Sequence, residues 1–337
     1  MKKICAVAAA FLAATGLSAQ VMCWNIENFF DTYDDPLTAD EPFTPRGDYR
    51  WTRRKFTAKR NLIAKTIIAS AECFGGELPC IVGLCEVENR YVLDNLLQQT
   101  PLAKCGYRAL HREGRDPRGI DVALLYDARR VRLLHSRFIT IEQFATRDIL
   151  YAEVVMGRRA GAGSGAGGAG NTGAGGVSCA DGGDTLHIFL NHWPSKYGGV
   201  RESAPKRQSV SDALAGALDS LFAVSGDAAV LIMGDFNDTP DSPAVWGLCS
   251  RYGLTNLTAH LQGSIKFRGV WEMIDQVLVS PAALPVTGPA RLYSPDFLLE
   301  EDKTYLGRKP RRTNIGPRYN GGASDHLPLL VSLEFRV

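Results

Sequence analysis

A chain of 337 residues that is 45% hydrophobic and 22% charged has the make-up of a globular protein with ample core, which excludes a disordered or fibrous one. A formal net charge of +2 excludes a general polyanion magnet. Beyond its first residues no apolar run approaches the thickness of a bilayer, so no stable membrane insertion is expected.

The chain opens with a basic pair, Lys2-Lys3, an apolar stretch from Ala6 to Ala14, and the small residues Leu17-Ser18-Ala19. That order reads as a secretory signal peptide over residues 1–19, so the mature protein is expected to be exported, periplasmic or secreted. Cys23 follows Gln20-Val21-Met22, which is no lipid-attachment motif. Loss of Lys2 and Lys3 brings the net charge to zero, and loss of Cys5 leaves seven cysteines, an odd count that excludes a fully paired disulfide framework. Cys73 and Cys80 flank a six-residue loop that an oxidising compartment could close, whereas Cys23 and Cys85 lie in apolar runs as core thiols.

From residue 20 strands alternate with helices. Gln20 to Asn25 reads as a strand, and Arg53 to Ala71 as a helix capped by Thr52, with Phe56, Leu62, Ile63, Ile67 and Ile68 on one side. Ile81 to Cys85 is a strand, followed by a helix capped by Asn89. Ile120–Tyr126, Val131–Ile141, Ile149–Met156 and Leu186–Leu190 follow as strands, and Val210, Leu214, Leu218 and Leu221 mark a helix. Val230–Met233, Met273–Val279 and Leu327–Phe335 complete the strands. The Gly/Ala-rich segment 157–183 cannot bury enough surface to order itself and reads as a flexible loop within one sheet, so residues 20–337 are expected to form one domain. Many strands, some adjacent in sequence and some separated by helices, predict two packed sheets with helices on their outer faces.

The apolar runs end in chemistry. They reach Trp24-Asn25-Ile26-Glu27, Cys85-Glu86, Asn191-His192-Trp193, Gly234-Asp235-Phe236-Asn237, Ile274-Asp275 and Ser324-Asp325-His326. Asp and Asn after one strand are ordinary turn formers, but a turn explanation would have to hold six times over. Strand ends at one edge of an α/β sheet meet in a single cleft. Glu86, Asp235, Asp275 and Asp325 would repel one another there without a cation, and carboxylates with the amides of Asn25 and Asn237 suit a hard ion such as Mg²⁺. His192 and His326 remain for proton work or charge stabilisation. No nucleophile elbow, phosphate-cradling glycine loop or dinucleotide fingerprint competes.

In this order the motifs resemble the endonuclease/exonuclease/phosphatase superfamily, the deoxyribonuclease I-like group, over residues 24 to 326. Gly-Asp-Phe-Asn and Ser-Asp-His-Leu-Pro are the most specific pieces. The resemblance implies an α/β fold, a four-layered α-β-β-α sandwich of two packed mixed sheets, and metal-dependent hydrolysis of phosphate esters. It implies Glu86 as principal metal ligand with Asn25 and Asp325 beside it, Glu27 less firmly placed near the metal or its water, and Mg²⁺ as the ion, with Mn²⁺ or Ca²⁺ as substitutes. Asp235 resembles the carboxylate that orients water and Asn237 the amide that holds a phosphate oxygen. His326 resembles the histidine facing the scissile phosphate, held by Asp275, and His192 the one facing the leaving group.

The expected activity is that of an exported phosphodiesterase, a nuclease acting on DNA or RNA, working as a monomer. The alternatives are a sphingomyelinase or phospholipase C-like enzyme and an inositol-phosphate phosphatase. A non-catalytic binding module would lack one of the central acids or histidines, and none is missing. Two basic clusters, Arg50 to Arg60 and Arg308 to Arg312, could flank a phosphate-bearing substrate. Asp121 is a candidate support for His192 or partner of an Arg. His111, His135, His187 and His260 read as structural, and Trp51, Trp193 and Trp271 read as core.

Overall fold

A computed structural model describes residues 17–156, 185–283 and 289–335. The 157–183 loop and most of the expected leader therefore lie outside the described residues. The first half of the chain runs β1 (Leu17–Phe29), α1 (Arg53–Ala69), β2 (Ile81–Val87), α2 (Arg90–Gln98), β3 (Tyr107–His111), β4 (Asp121–Asp127), β5 (Val131–Ile139) and β6 (Ile149–Met156). It continues through β7 (Thr185–His192), α3 (Val200–Val224), β8 (Ala229–Asp235), α4 (Pro243–Tyr252), β9 (Thr255–Asn256), β10 (Ile265–Phe267), β11 (Val270–Glu272) and β12 (Asp275–Val279). Last come β13 (Arg291–Leu292), β14 (Leu299–Glu301), β15 (Arg308–Pro310), β16 (Asn314–Ile315), β17 (Arg318–Tyr319) and β18 (Leu329–Phe335).

Two six-stranded mixed sheets form, in the orders β13-β18-β1-β2-β4-β3 and β5-β6-β7-β8-β12-β9. Central strands such as β4 and β8 are buried almost throughout because both faces are covered, whereas the edge strands β3 and β5 are half exposed. On β1, Val21 and Cys23 face the other sheet, while Met22, Trp24 and Ile26 face α1 and α2. On β8, Leu231 and Met233 face the first sheet, while Val230 and Ile232 face α3 and α4. The period-two alternation thus sorts each run into an inter-sheet core and a helix-side core. Each such Leu or Ile stabilises by about 1.5–3 kcal/mol when fully buried. The layers are α-β-β-α, as the sequence predicts.

Strand direction makes the functional edge. β1 and β2 are parallel, as are β7 and β8, so their C-terminal ends share an edge within each sheet. β18 is antiparallel to β1 and β12 is antiparallel to β8, so both begin where their neighbours finish. Asp275 is accordingly the first residue of its strand, paired with Asp235, and not the end of an apolar run.

Several local expectations change. Leu17–Ala19, the last residues of the expected leader, pair with Leu333–Phe335 as the first rungs of β1. Thr52 stands at the N-cap of α1 but its side chain makes no capping hydrogen bond, whereas Asn89 does cap α2 through the Val92 amide. Cys73 and Cys80 are free thiols, because Cys80 heads β2 inside the core with its Sγ turned to the Gln20 carbonyl. Trp51 and Trp193 are fully buried and Trp271 packs on the helix-side core. Among the described residues no helix is long and apolar enough to cross a membrane.

Candidate active site

Seven non-glycine residues in the described chain have positive φ, and four of them, Glu27, Asn28, Glu86 and Asn237, sit at this strand edge. Left-handed backbone at such residues costs about 1–3 kcal/mol each and persists only where the surroundings hold it. Here side chains of the site do the holding. Asn25 Oδ1 accepts from the Glu27 amide at 2.9 Å, Glu86 Oε2 from the Asn28 amide at 2.7 Å, and Asp235 Oδ1 from the Asn237 amide at 2.8 Å. Gly234, at φ 142°, allows β8 to pass β7, since a Cβ there would lie 1.9 Å from the Asn191 carbonyl oxygen.

Asp235 is the hub. Its Oδ2 accepts from Asn25 Nδ2 at 2.9 Å and lies 3.6 Å from His192 Nε2 and 3.9 Å from His326 Nε2. Asn25 Nδ2 also reaches Glu86 Oε1 at 3.2 Å, so as placed it ties two carboxylates together with its amino group. Asn237 is anchored by donating from Nδ2 to the Trp193 carbonyl at 3.0 Å. Burial, and then the neighbouring Asp275 charge, pushes the Asp235 carboxyl up to about 7.

The two histidines sit in opposite fields. Burial opposes charge on His326, yet Asp275, Asp235 and Asp325 together hold its pKa well above the ordinary value. Its Nδ1 pairs with Asp275 Oδ2 at 2.7 Å, and its carbonyl is fixed by Trp24 Nε1 at 2.9 Å. His192 is pushed well below the ordinary value by burial and then by Arg147, Arg118 and His326. Arg147 Nη2 lies 2.6 Å from His192 Nε2, and its Nη1 donates to Asp116 Oδ2 at 2.9 Å.

Among the described residues of the basic clusters, Arg312 pairs with the site acids and Lys59 faces them through its charge. Lys59, fully buried in α1, donates to Thr313 Oγ1 and to the Ala323 carbonyl, and burial lowers its pKa to about 8. Arg312 bridges Asp325 Oδ2 at 2.7 Å and Glu27 Oε1 at 3.4 Å. Burial, then the Asp325 charge, raises Glu27 to about 7. Other members are engaged elsewhere: Lys55 with the Tyr49 carbonyl, Arg308 with Asp296 and Lys309 with Glu300 and Asp302.

The donor set fits a hard divalent cation. Five carboxylates, Glu27, Glu86, Asp235, Asp275 and Asp325, converge near Lys59, Arg147 and Arg312, and two of them, Glu27 and Asp235, are raised to about 7, by burial first and a neighbouring carboxylate second. Asp275 Oδ1 is buried without a hydrogen-bond partner. Asp235, Asp275 and His326 each offer a ligand atom within 4.8 Å of the others. The His326–Asp275 hydrogen bond already engages two of those three groups.

The structure brings Asn25, Glu86, His192, Asp235, Asn237, Asp275, Asp325 and His326 to one edge. Asp121 does not reach His192; it accepts from the Gly114 amide. Sequence reasoning missed Arg147 and Asp116, and singled out Lys59 only as a member of a basic cluster. Arg147 lies between β5 and the buried β6 in Thr-Arg-Asp, where only the oddity of two charged residues entering a buried strand could have marked it.

Two mixed sheets clothed in helices, with an acid, amide and histidine edge, define a phosphoesterase of the deoxyribonuclease I-like class. A model of the endonuclease/exonuclease/phosphatase family matches residues 20–161 and 176–335, and the chain belongs to that family of metal-dependent phosphoric ester hydrolases. No individually curated protein sequence matches it. Among solved structures it is similar to an endonuclease/exonuclease/phosphatase family protein of Bacteroides thetaiotaomicron, at 15% identity and TM-score 0.56, over 96% of this chain and 99% of that one. It is also similar to a mannosyl-6-phosphatase of the same organism, at 14% identity and TM-score 0.56, over 94% and 100%. D. rerio TDP2 complexed with single strand DNA product matches at 16% identity and TM-score 0.54, over 95% and 99%. At such identities the likeness is one of fold.

Proposed function

We propose that this protein is an exported, Mg²⁺-dependent phosphodiesterase whose substrate is nucleic acid. The observation that carries the reading is Asp235 Oδ2 flanked by His192 Nε2 at 3.6 Å and His326 Nε2 at 3.9 Å, the first histidine held neutral and the second charged. Asp235, near neutral pKa, accepts the proton of the attacking water. Asn237 keeps one amide hydrogen for a phosphate oxygen after its bond to Trp193. Protonated His326 meets the charge that grows on the phosphate, and His192 faces the leaving oxygen. Glu86 and Asp325, with Asn25, hold the cation, which when bound supplies Lewis-acid stabilisation of the phosphate oxygens. A diester needs its leaving group assisted, which gives the His192–Arg147 pair a use. The opening order of the chain, Lys2-Lys3 followed by the apolar stretch Ala6 to Ala14, supports export, and the shared fold with a DNA-bound protein supports the substrate class.

One observation favours a phospholipase C-like reading as runner-up. Phe267 and Val270, at the β10–β11 turn, and Tyr305 and Leu306, between β14 and β15, are exposed. Ile265 of the first hairpin bridges His326, so this apolar rim borders the site. The test is a substrate panel: plasmid DNA, RNA, sphingomyelin vesicles, inositol phosphates and a sugar monophosphate, each with Mg²⁺ or EDTA. Nucleic acid should be cleaved fastest; turnover of monoesters or lipid alone would overturn the proposal.

A further inference from the structure

Arg147, which touches His192, also lines a cavity of about 630 Å³. Three cations border it, Arg118, Arg147 and Lys206, against a single carboxylate, Asp116. That carboxylate is already engaged by Arg147 Nη1 at 2.9 Å and by the Arg118 amide at 3.0 Å. Lys206 forms no ion pair among the described residues; its ammonium lies 5.9 Å from the Phe144 ring. Tyr197, 95% exposed, also lines it, and the buried Thr146 Oγ1 in the lining has no hydrogen-bond partner. The cavity therefore combines surplus positive charge with flat aromatic surface and continues the site past His192.

We propose that this cavity is a nucleotide subsite. It receives the nucleotide that lies beyond the scissile phosphate on the His192 side, its base against Phe144 and Tyr197 and its next phosphate toward Lys206 and Arg118. The assignment rests on the nucleic-acid reading above and deepens it, by locating where a substrate longer than a bare diester is gripped.

The test uses the double variant Lys206→Ala/Tyr197→Ala. Both side chains are on the surface and neither touches Asp235, Asn237 or the histidines, so folding and basal chemistry are retained. With a short oligonucleotide, KM should rise about tenfold while kcat stays within about twofold, the pattern of lost uniform binding. Hydrolysis of bis(p-nitrophenyl) phosphate, which has no second phosphate, should stay within about twofold. A fluorescent mononucleotide, titrated in EDTA and followed by anisotropy, should bind the variant about tenfold more weakly, a readout that needs no turnover. An unchanged oligonucleotide KM, an unchanged mononucleotide affinity, or an equal loss on both substrates overturns the subsite. Failure of the nucleic-acid reading looks different: the wild type cleaves the small diester but no oligonucleotide, and the anisotropy comparison then decides the subsite by itself.

Discussion

Asp235 has two candidate roles, turn former and proton acceptor, and they separate in one substitution. Asn is as good at turns, so Asp235→Asn keeps the backbone and the hydrogen bond from the Asn237 amide. It removes the basic oxygen that lies between the histidines. Turnover should fall roughly 100-fold or more, while the melting temperature stays level or rises because one of five crowded carboxylates is neutralised. His326→Ala should behave alike, and the double variant should lose far less than the product of the two, since both act on one phosphate. Single-turnover hydrolysis beside thermal melting reads all three; near-normal turnover of Asp235→Asn would return it to the turn role. The candidate site was legible at this scale because its members terminate apolar runs with groups that a core does not keep. Arg147 was not, because its signal is a contact across 45 residues of sequence.

At the scale of elements, two features carry predictions. β8 passes β7 only because Gly234 lacks a Cβ. Gly234→Ala should therefore destabilise by more than about 2 kcal/mol, from steric overlap and a φ of 142° that alanine avoids; an unshifted melting temperature would contradict the close approach. The second is Asp121 at the head of β4, whose pKa burial raises to about 7, with the charges of Asp116 and Asp148 adding and the Gly114 amide opposing. Its folded pKa exceeds the unfolded value, so its favourable contribution is complete below about pH 4 and is lost as pH rises through about 7. Asp121→Asn should flatten the fall in melting temperature across that window; identical pH profiles for variant and wild type would reject it. Most strands and the helices α1, α2 and α3 were readable from periodicity, though α3 starts ten residues before its first marker, Val210, in a polar stretch that holds Pro205. α4 escaped because Gly247 interrupts a ten-residue run, and β3 and the short hairpins escaped because two- to five-residue strands carry little pattern.

Across the whole molecule, strand direction converts a linear list of motifs into a site. Two parallel pairs and two antiparallel returns bring residues from Asn25 to His326 onto one edge, a register the sequence does not spell out and the layered core enforces. The convergence of five carboxylates there makes a divalent cation the central physical claim. Cleavage of a labelled oligonucleotide before chelation, in EDTA, and after Mg²⁺ is restored tests it most directly, with Glu86→Gln alongside. Activity should vanish in EDTA and return with Mg²⁺, and the variant should need a higher Mg²⁺ concentration for the same rate. Full turnover in EDTA would contradict the account.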